Sequence, residues 1–324
     1  MSKASSLPYQ LRPNKAVDRE LFLMLLGRIA GVIGIETYRY IGLGGPFLED
    51  FRMLHARLGI TDMVCLEIDE NVNLRQNFNR PISSIQCLFS SIEDYLKKTE
   101  FYEPVILWLD YTAPSSLREQ IECFCHQVCT LPVGSIVKIT LNANPSSLGT
   151  PEPHEVKRDI FNTEYAVQGW RLDRLKEKLG EFVPSSMTPR RLITYEFGKA
   201  LLEILELALD REIDGYPDRN TIWCLTTLYA DGQNMVTATV YVTPPNESDV
   251  EQILKSWSFY STPAKPHVLD MPTLSTRERL TLEQSDNPDT CLRYELPKSS
   301  LKRNPLETFK LFYRVYPYFA RVDM

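Results

Sequence analysis

Hydrophobic positions change period several times along the chain, and each change marks an element. Val17, Leu21, Leu25, Ile29 and Val32 fall near helical spacing, which predicts a helix over 15–33. Residues 38–43 form a short apolar and aromatic run of strand length. Phe47, Phe51, Leu54 and Leu58 return to helical spacing, with Pro46 suited to the first turn and Gly59 to the C-cap. Strand-like runs follow at 62–68, 85–89, 105–109 and 135–141, separated by helical patterns at 71–78, 91–98 and 117–131. Strands alternating with helices over 38–145 predict an α/β fold, a doubly wound and mostly parallel sheet.

The pattern then changes. Between about 145 and 219 lie a proline-broken stretch, a charged helix near 169–179 and a long amphipathic helix over 189–209. This is longer than an ordinary αβ connection and is expected to form a lid or subdomain. β-Branched and aromatic runs at 221–229 and 235–243 flank Asp231-Gly232, a strong hairpin signal. An antiparallel C-terminal hairpin therefore closes the sheet. Beyond 244 the chain is rich in proline, charge and aromatics, with helices expected at 248–258 and 306–316. The expected organisation is an N-terminal segment and helix (1–34), a core domain (35–243) carrying the helical insertion, and a C-terminal extension (244–324).

Composition narrows the class. A chain of 324 residues with 43% hydrophobic and 24% charged residues can bury a sizeable core. The net charge of −6 argues against a dominant polyanion-binding face, so nucleic acid is not favoured. Arg190-Arg191 and Lys302-Arg303 are too small to alter that. No apolar run reaches the roughly 18–20 residues of a membrane span, and no secretory signal pattern is present. Seven cysteines read as free thiols in a reducing compartment, so a cytoplasmic protein is expected.

Candidate chemistry gathers at strand ends. Gly42, Gly44 and Gly45 let the chain turn sharply between a strand and a helix, and Glu67 ends the next strand. A carboxylate there can accept two hydrogen bonds from a ribose diol, although a solvated acid beside Asp69 and Glu70 is the alternative. A G-x-G-x-x-G fingerprint would need glycine where Phe47 stands, which weighs against a dinucleotide. Asp110 follows the apolar run 105–109 at the same edge. It could orient a substrate, act as a base or ligate a metal, or cap the next helix in an Asx turn. Cys123, Cys125, His126 and Cys129 lie on one predicted helix with no second pair elsewhere, so they read as core thiols and no metal site is expected.

Arg12, Asn14, Lys15, Asp18 and Arg19 form a compact polar cluster. It is expected to be a solvated helix start, with folding over the ligand edge as the alternative. The aromatic run 309–319 is read as a helix and tail docked on the core, ended by Pro317; stacking on a ligand or partner is the alternative.

The ordered set resembles the class I S-adenosylmethionine-dependent methyltransferases. Tyr40-Ile41-Gly42-Leu43-Gly44-Gly45 is similar to their glycine-rich first motif, and Val64-Cys65-Leu66-Glu67-Ile68-Asp69 to their second. Ser91 and Ile92 fall at the adenine-contacting turn, and Asp110 falls beside the methyl-transfer centre. The resemblance covers about 35–243. It implies S-adenosylmethionine as cofactor, with Gly42, Gly44, Glu67, Ser91 and Ile92 binding it, Asp110 catalytic, and an unidentified oxygen or nitrogen acceptor. Tyr40 stands where the family carries an acidic residue, and Ser91 where it carries an aspartate. A second reading is therefore a methyltransferase fold without chemistry, serving as a ligand sensor or assembly partner through the C-terminal extension.

Overall fold

The computed structural model describes residues 12–152, 163–246, 249–297 and 304–316. Helix α1 (Pro13–Ile33) precedes β1 (Arg39–Gly42), α2 (Glu49–Leu58), β2 (Met63–Glu67), α3 (Glu70–Asn79), β3 (Ile85–Phe89), α4 (Ile92–Lys98), β4 (Val105–Asp110), α5 (Leu117–Thr130) and β5 (Ile136–Asn142). Then come α6 (Thr163–Leu179), α7 (Thr194–Ile213), β6 (Asn220–Ala230), β7 (Asn234–Thr243), α8 (Asp249–Lys255), β8 (His267–Leu269), α9 (Thr276–Gln284), α10 (Pro288–Cys291) and α11 (Pro305–Phe312).

One eight-stranded sheet has the order β3-β2-β1-β4-β5-β7-β6-β8. Strands β1 to β5 are parallel, β7 is antiparallel to both β5 and β6, and β8 is parallel to β6. The expected doubly wound sheet with its antiparallel closure is therefore present. Successive strands leave β1 in both directions, so the order reverses between β1 and β4. A crevice outside the carboxyl ends of the strands opens at such a point.

Strand side chains alternate between two faces. On one face, Leu107, Leu109, Val137, Ile139, Ala238 and Val240 meet Ile121, Phe124, Leu201 and Leu205 of α5 and α7 in an apolar layer. The other face carries Ile106, Trp108, Ile136 and Tyr241 beneath Phe22, Leu25 and Leu26 of α1 and Phe51 and Leu54 of α2. Between these apolar groups it also carries Lys138, Thr140, Thr227, Thr237 and Thr239, all buried.

Four expectations change. The helix after the glycine turn begins at Glu49, not at Pro46. Leu48 precedes it at φ 51°, a left-handed turn that buries the Leu48 side chain against Gly44. The region after 145 is not a separate lid in its described part. Leu172, Leu175 and Leu179 of α6 join the same apolar cluster as α7, because both helices pack against α5. The N-terminal polar cluster is not a solvated helix start, since Asn14, Lys15, Asp18 and Arg19 are all buried. Val32, placed on the apolar stripe of α1, is exposed at 38%.

The C-terminal region supplies β8 and packs Phe309, Phe312, Val315 and Tyr316 against the α1 side, as the docked reading expects. Pro317 and the rest of the aromatic run, and Lys302-Arg303, lie outside the described residues. Among the described residues no helix is long and apolar enough to cross a membrane.

Candidate functional site

The glycine turn lies at the reversal point. Gly42 pairs in register with Trp108 of β4, so Asp110 ends the neighbouring strand two residues farther on. Tyr40 and Gly42 share a face. The Tyr40 hydroxyl sits 2.7 Å from where a Cβ of residue 42 would be, so only glycine fits beside that ring. Tyr40 is held edge-on to Phe51, with centroids 4.9 Å apart, and burial keeps its phenol protonated by raising its pKa well above normal. A Cβ at Gly44 would meet Cys65 Sγ at 2.7 Å, Leu48 at 2.8 Å and Phe51 at 3.0 Å. Gln76 of α3 donates to the Gly44 carbonyl. The turn is thus clamped from beneath by the β1–β2 packing.

Glu67 ends β2 half-buried. Its Oε1 accepts from the backbone N–H groups of Ile68 (2.8 Å) and Asp69 (2.9 Å), which fixes the carboxylate while Oε2 makes no hydrogen bond to a described residue. Asp69 caps α3 through Asn71 and Val72. Ser91 caps α4, accepting from Asp94 N–H at 3.1 Å, and its hydroxyl proton remains available for donation. Ile92 is 2% exposed and packs in the α5-side apolar layer, so its side chain is a core group at the edge of the turn.

Asp110 is the most perturbed of the sequence-expected groups. Its side chain is 10% exposed, with Lys15 Nζ 3.6 Å from Oδ2, while Oδ1 is buried without a hydrogen-bond partner. Burial would raise the Asp110 pKa, but the Lys15 and Arg19 charges outweigh it and leave it below the usual carboxylate range. Lys15 is shifted down from an ordinary amine, mainly by burial, against the attraction of Asp110. Arg19 pairs with Asp50 in a bidentate fashion, Nε donating to Oδ1 and Nη2 to Oδ2, and lies 5.4 Å over the Trp108 ring.

Behind this pair is a network the sequence did not disclose. Lys138 Nζ donates to Asp18 Oδ2 at 2.7 Å with both side chains at most 1% exposed, and it sits 4.6 Å and 4.2 Å over the Phe22 and Trp108 rings. Asp18 Oδ1 accepts from the Thr227 and Thr237 hydroxyls. Burial pushes the Lys138 amine down against the pull of Asp18. At the helix start, Asp231 of the β6–β7 hairpin accepts from Lys15 N–H at 2.7 Å and from Asn14 Nδ2 at 3.0 Å, acting as a cap supplied from across the fold. The Asn14 side chain reaches the Ala230 carbonyl and Met271 N–H as well. Two cues were present in the sequence: Lys15, Asp18 and Arg19 at i, i+3, i+4 on one helix face, and Lys138, Thr140 and Asn142 alternating along an otherwise apolar strand.

Beside the network, Ala143, Tyr195, Gly198, Tyr229, Asn234 and Met235 are among the residues lining a small depression of about 20 Å³. Asn144 Oδ1, accepting from Asn234 Nδ2 at 2.6 Å, ties its β5 rim to the hairpin. Cys125 and Cys129 are buried on α5, as the core-thiol reading expects.

The parallel sheet with a glycine turn after β1, an acid after β2 and a β6–β7 hairpin closing the array defines a methyltransferase-type Rossmann fold. The chain belongs to the family described as "Putative O-methyltransferase", whose profile matches residues 7–324. It is a methyltransferase. Solved structures similar to it include an O-methyltransferase from Bacillus cereus in complex with SAH (16% identity, 68% of this chain and 79% of that chain, TM-score 0.36). Another is Trm1 from Pyrococcus horikoshii with S-adenosyl-L-methionine (9% identity, 74% of this chain and 56% of that chain, TM-score 0.44). No curated protein matches the sequence.

Proposed function

We propose that the protein transfers a methyl group to a hydroxyl acceptor bound where β4, β5 and the hairpin meet. The observation carrying this is Asp110: an ionised, buried carboxylate with an unpartnered Oδ1, one strand away from the glycine turn. The residues suit the cofactor. Glu67 has an oxygen available for a ribose diol, and the Gly42–Gly45 turn lies at the point where the strand order reverses. Gly42, Gly44, Glu67 and Ser91 would hold it, with Ile92 supporting the adenine-side turn from within the core. When bound, S-adenosylmethionine supplies an electrophilic methyl group on a sulfonium.

The chain's own work is then alignment and proton control. Asp110 Oδ1 accepts the hydrogen bond of the acceptor hydroxyl and fixes the oxygen lone pair on the transfer axis. Lys15 keeps Asp110 ionised, and Asp231 and Asn14 hold Lys15 by anchoring the start of α1. Transfer from radiolabelled S-adenosylmethionine to a panel of phenols, alcohols and carboxylic acids tests this reading. Asp110→Asn is expected to lower kcat about 100-fold with cofactor affinity unchanged. An unaltered kcat for Asp110→Asn on an accepted substrate would remove Asp110 from the mechanism.

A further inference from the structure

Cys65 and Cys87 face one another in the sheet. They are direct partners in the parallel β2–β3 register, where neighbouring strands run roughly 4.8 Å apart. Disulfide-bonded cysteines have Cα atoms about 4.4–6.8 Å apart. Both side chains lie on the α1-side face of the sheet, Cys65 within its apolar cluster and Cys87 packed against it. Cys65 is buried, whereas Cys87 is half-buried on the edge strand β3, so the pair has one inner and one reachable sulfur. The neighbouring Cys65 thiol pulls the Cys87 thiol down, with help from Arg80 and against burial, while burial pushes Cys65 well up. That asymmetry is the one a peroxide-reactive thiol and its resolving partner show. Cys125 and Cys129, one turn apart on α5, lack it: both are buried and both are pushed up by burial.

The inner sulfur also touches the glycine turn. Cys65 Sγ lies 2.7 Å from the position a Gly44 Cβ would take. Glu67 follows two residues later on the same strand face.

We propose that Cys65 and Cys87 form an oxidisable dithiol, taking a hydroperoxide as its reagent, whose disulfide withdraws Cys65 Sγ from beneath Gly44 and weakens cofactor binding. The Cys87 thiolate attacks one peroxide oxygen, the O–O bond breaks, and the alcohol leaves with a proton, giving Cys87 sulfenic acid. Cys65 sulfur then attacks the Cys87 sulfur. The S–S bond forms, the S–O bond breaks, and hydroxide leaves with the Cys65 proton as water. Two thiols lose two electrons, and one hydroperoxide becomes one alcohol and one water.

The effect on binding rests on the cofactor site proposed above; the thiol chemistry does not. The test exposes the full chain to hydrogen peroxide, blocks remaining thiols, and maps non-reduced tryptic peptides spanning 58–75 and 76–97, with S-adenosylhomocysteine titrated in parallel. The expected result is a linked 58–75/76–97 pair, reversed by dithiothreitol, with affinity falling about tenfold when linked, a typical coupling between two sites. Cys87→Ser is expected to bind as tightly as the reduced wild type and to ignore peroxide. Oxidation confined to other cysteines would overturn the dithiol. A linked pair with unchanged affinity would overturn its connection to the glycine turn. If the reduced protein binds no S-adenosylhomocysteine, the cofactor site fails while the peptide map still judges the dithiol.

Discussion

The two faces of the sheet are packed on different principles. Beneath α5 and α7 the strands present an apolar layer without a buried charge, from Leu107 and Val137 to Phe124 and Leu201. Beneath α1 the same strands bury Lys138, Asp110 and four threonines, matched by Lys15, Asp18 and Arg19 of the helix. An apolar layer gains by area and tolerates a change of shape at constant volume. A buried ionic layer gains only while each charge keeps its partner, because a stranded ion has no water to replace it. The first face holds the fold together. The second sets α1, and with it Lys15, in one register over the strand ends where Asp110 stands.

Near-isosteric substitutions separate the two principles most sharply. Lys138→Met keeps the length of the side chain but strands Asp18, and denaturant unfolding is expected to show a loss of about 3–5 kcal/mol. Adding Asp18→Asn to Lys138→Met should recover much of that loss, whereas simple additivity would contradict a coupled pair. Leu201→Met on the other face, a change of similar modesty, is expected to cost less than about 1.5 kcal/mol. Equal losses on the two faces would remove the distinction.

A smaller effect follows from Asp110. Its pKa in the folded state lies below the unfolded value of 3.8, so its ionisation stabilises the fold fully above that pH. The contribution is lost as pH falls from there through the folded pKa. Asp110→Asn removes this part of the acid dependence, so its stability should fall less steeply than that of the wild type below about pH 4. Parallel acid-unfolding slopes in the two proteins would show that Lys15 does not hold Asp110 ionised.

The contrast between the faces also explains what was legible in the sequence. The glycine turn, Glu67 and Asp110 could be placed because each is tied to a strand or helix adjacent in the chain. Ile85–Phe89 was readable as a strand for the same reason, and Asp231-Gly232 announced the hairpin. The ionic layer was hidden because its partners are far apart: Asp18 meets Lys138 at a separation of 120 residues, Thr227 at 209 and Thr237 at 219. A charged helix start with no visible partner reads as a solvated one. Strand β8 was missed because three residues carry no period of their own; its place is set by pairing with β6. Leu48 departs from the helix expected after Pro46 because its side chain fills the space that Gly44 leaves.

The central claim is that the crevice outside the carboxyl ends of the strands, with Glu67 at its edge, holds the methyl donor. Calorimetric titration of S-adenosylmethionine and S-adenosylhomocysteine into the wild type and Glu67→Ala tests it directly. The account predicts binding of both ligands to the wild type and at least roughly a tenfold loss in Glu67→Ala, the scale of a lost charge-assisted hydrogen bond. Absence of heat with either ligand, or undiminished affinity in Glu67→Ala, would contradict it.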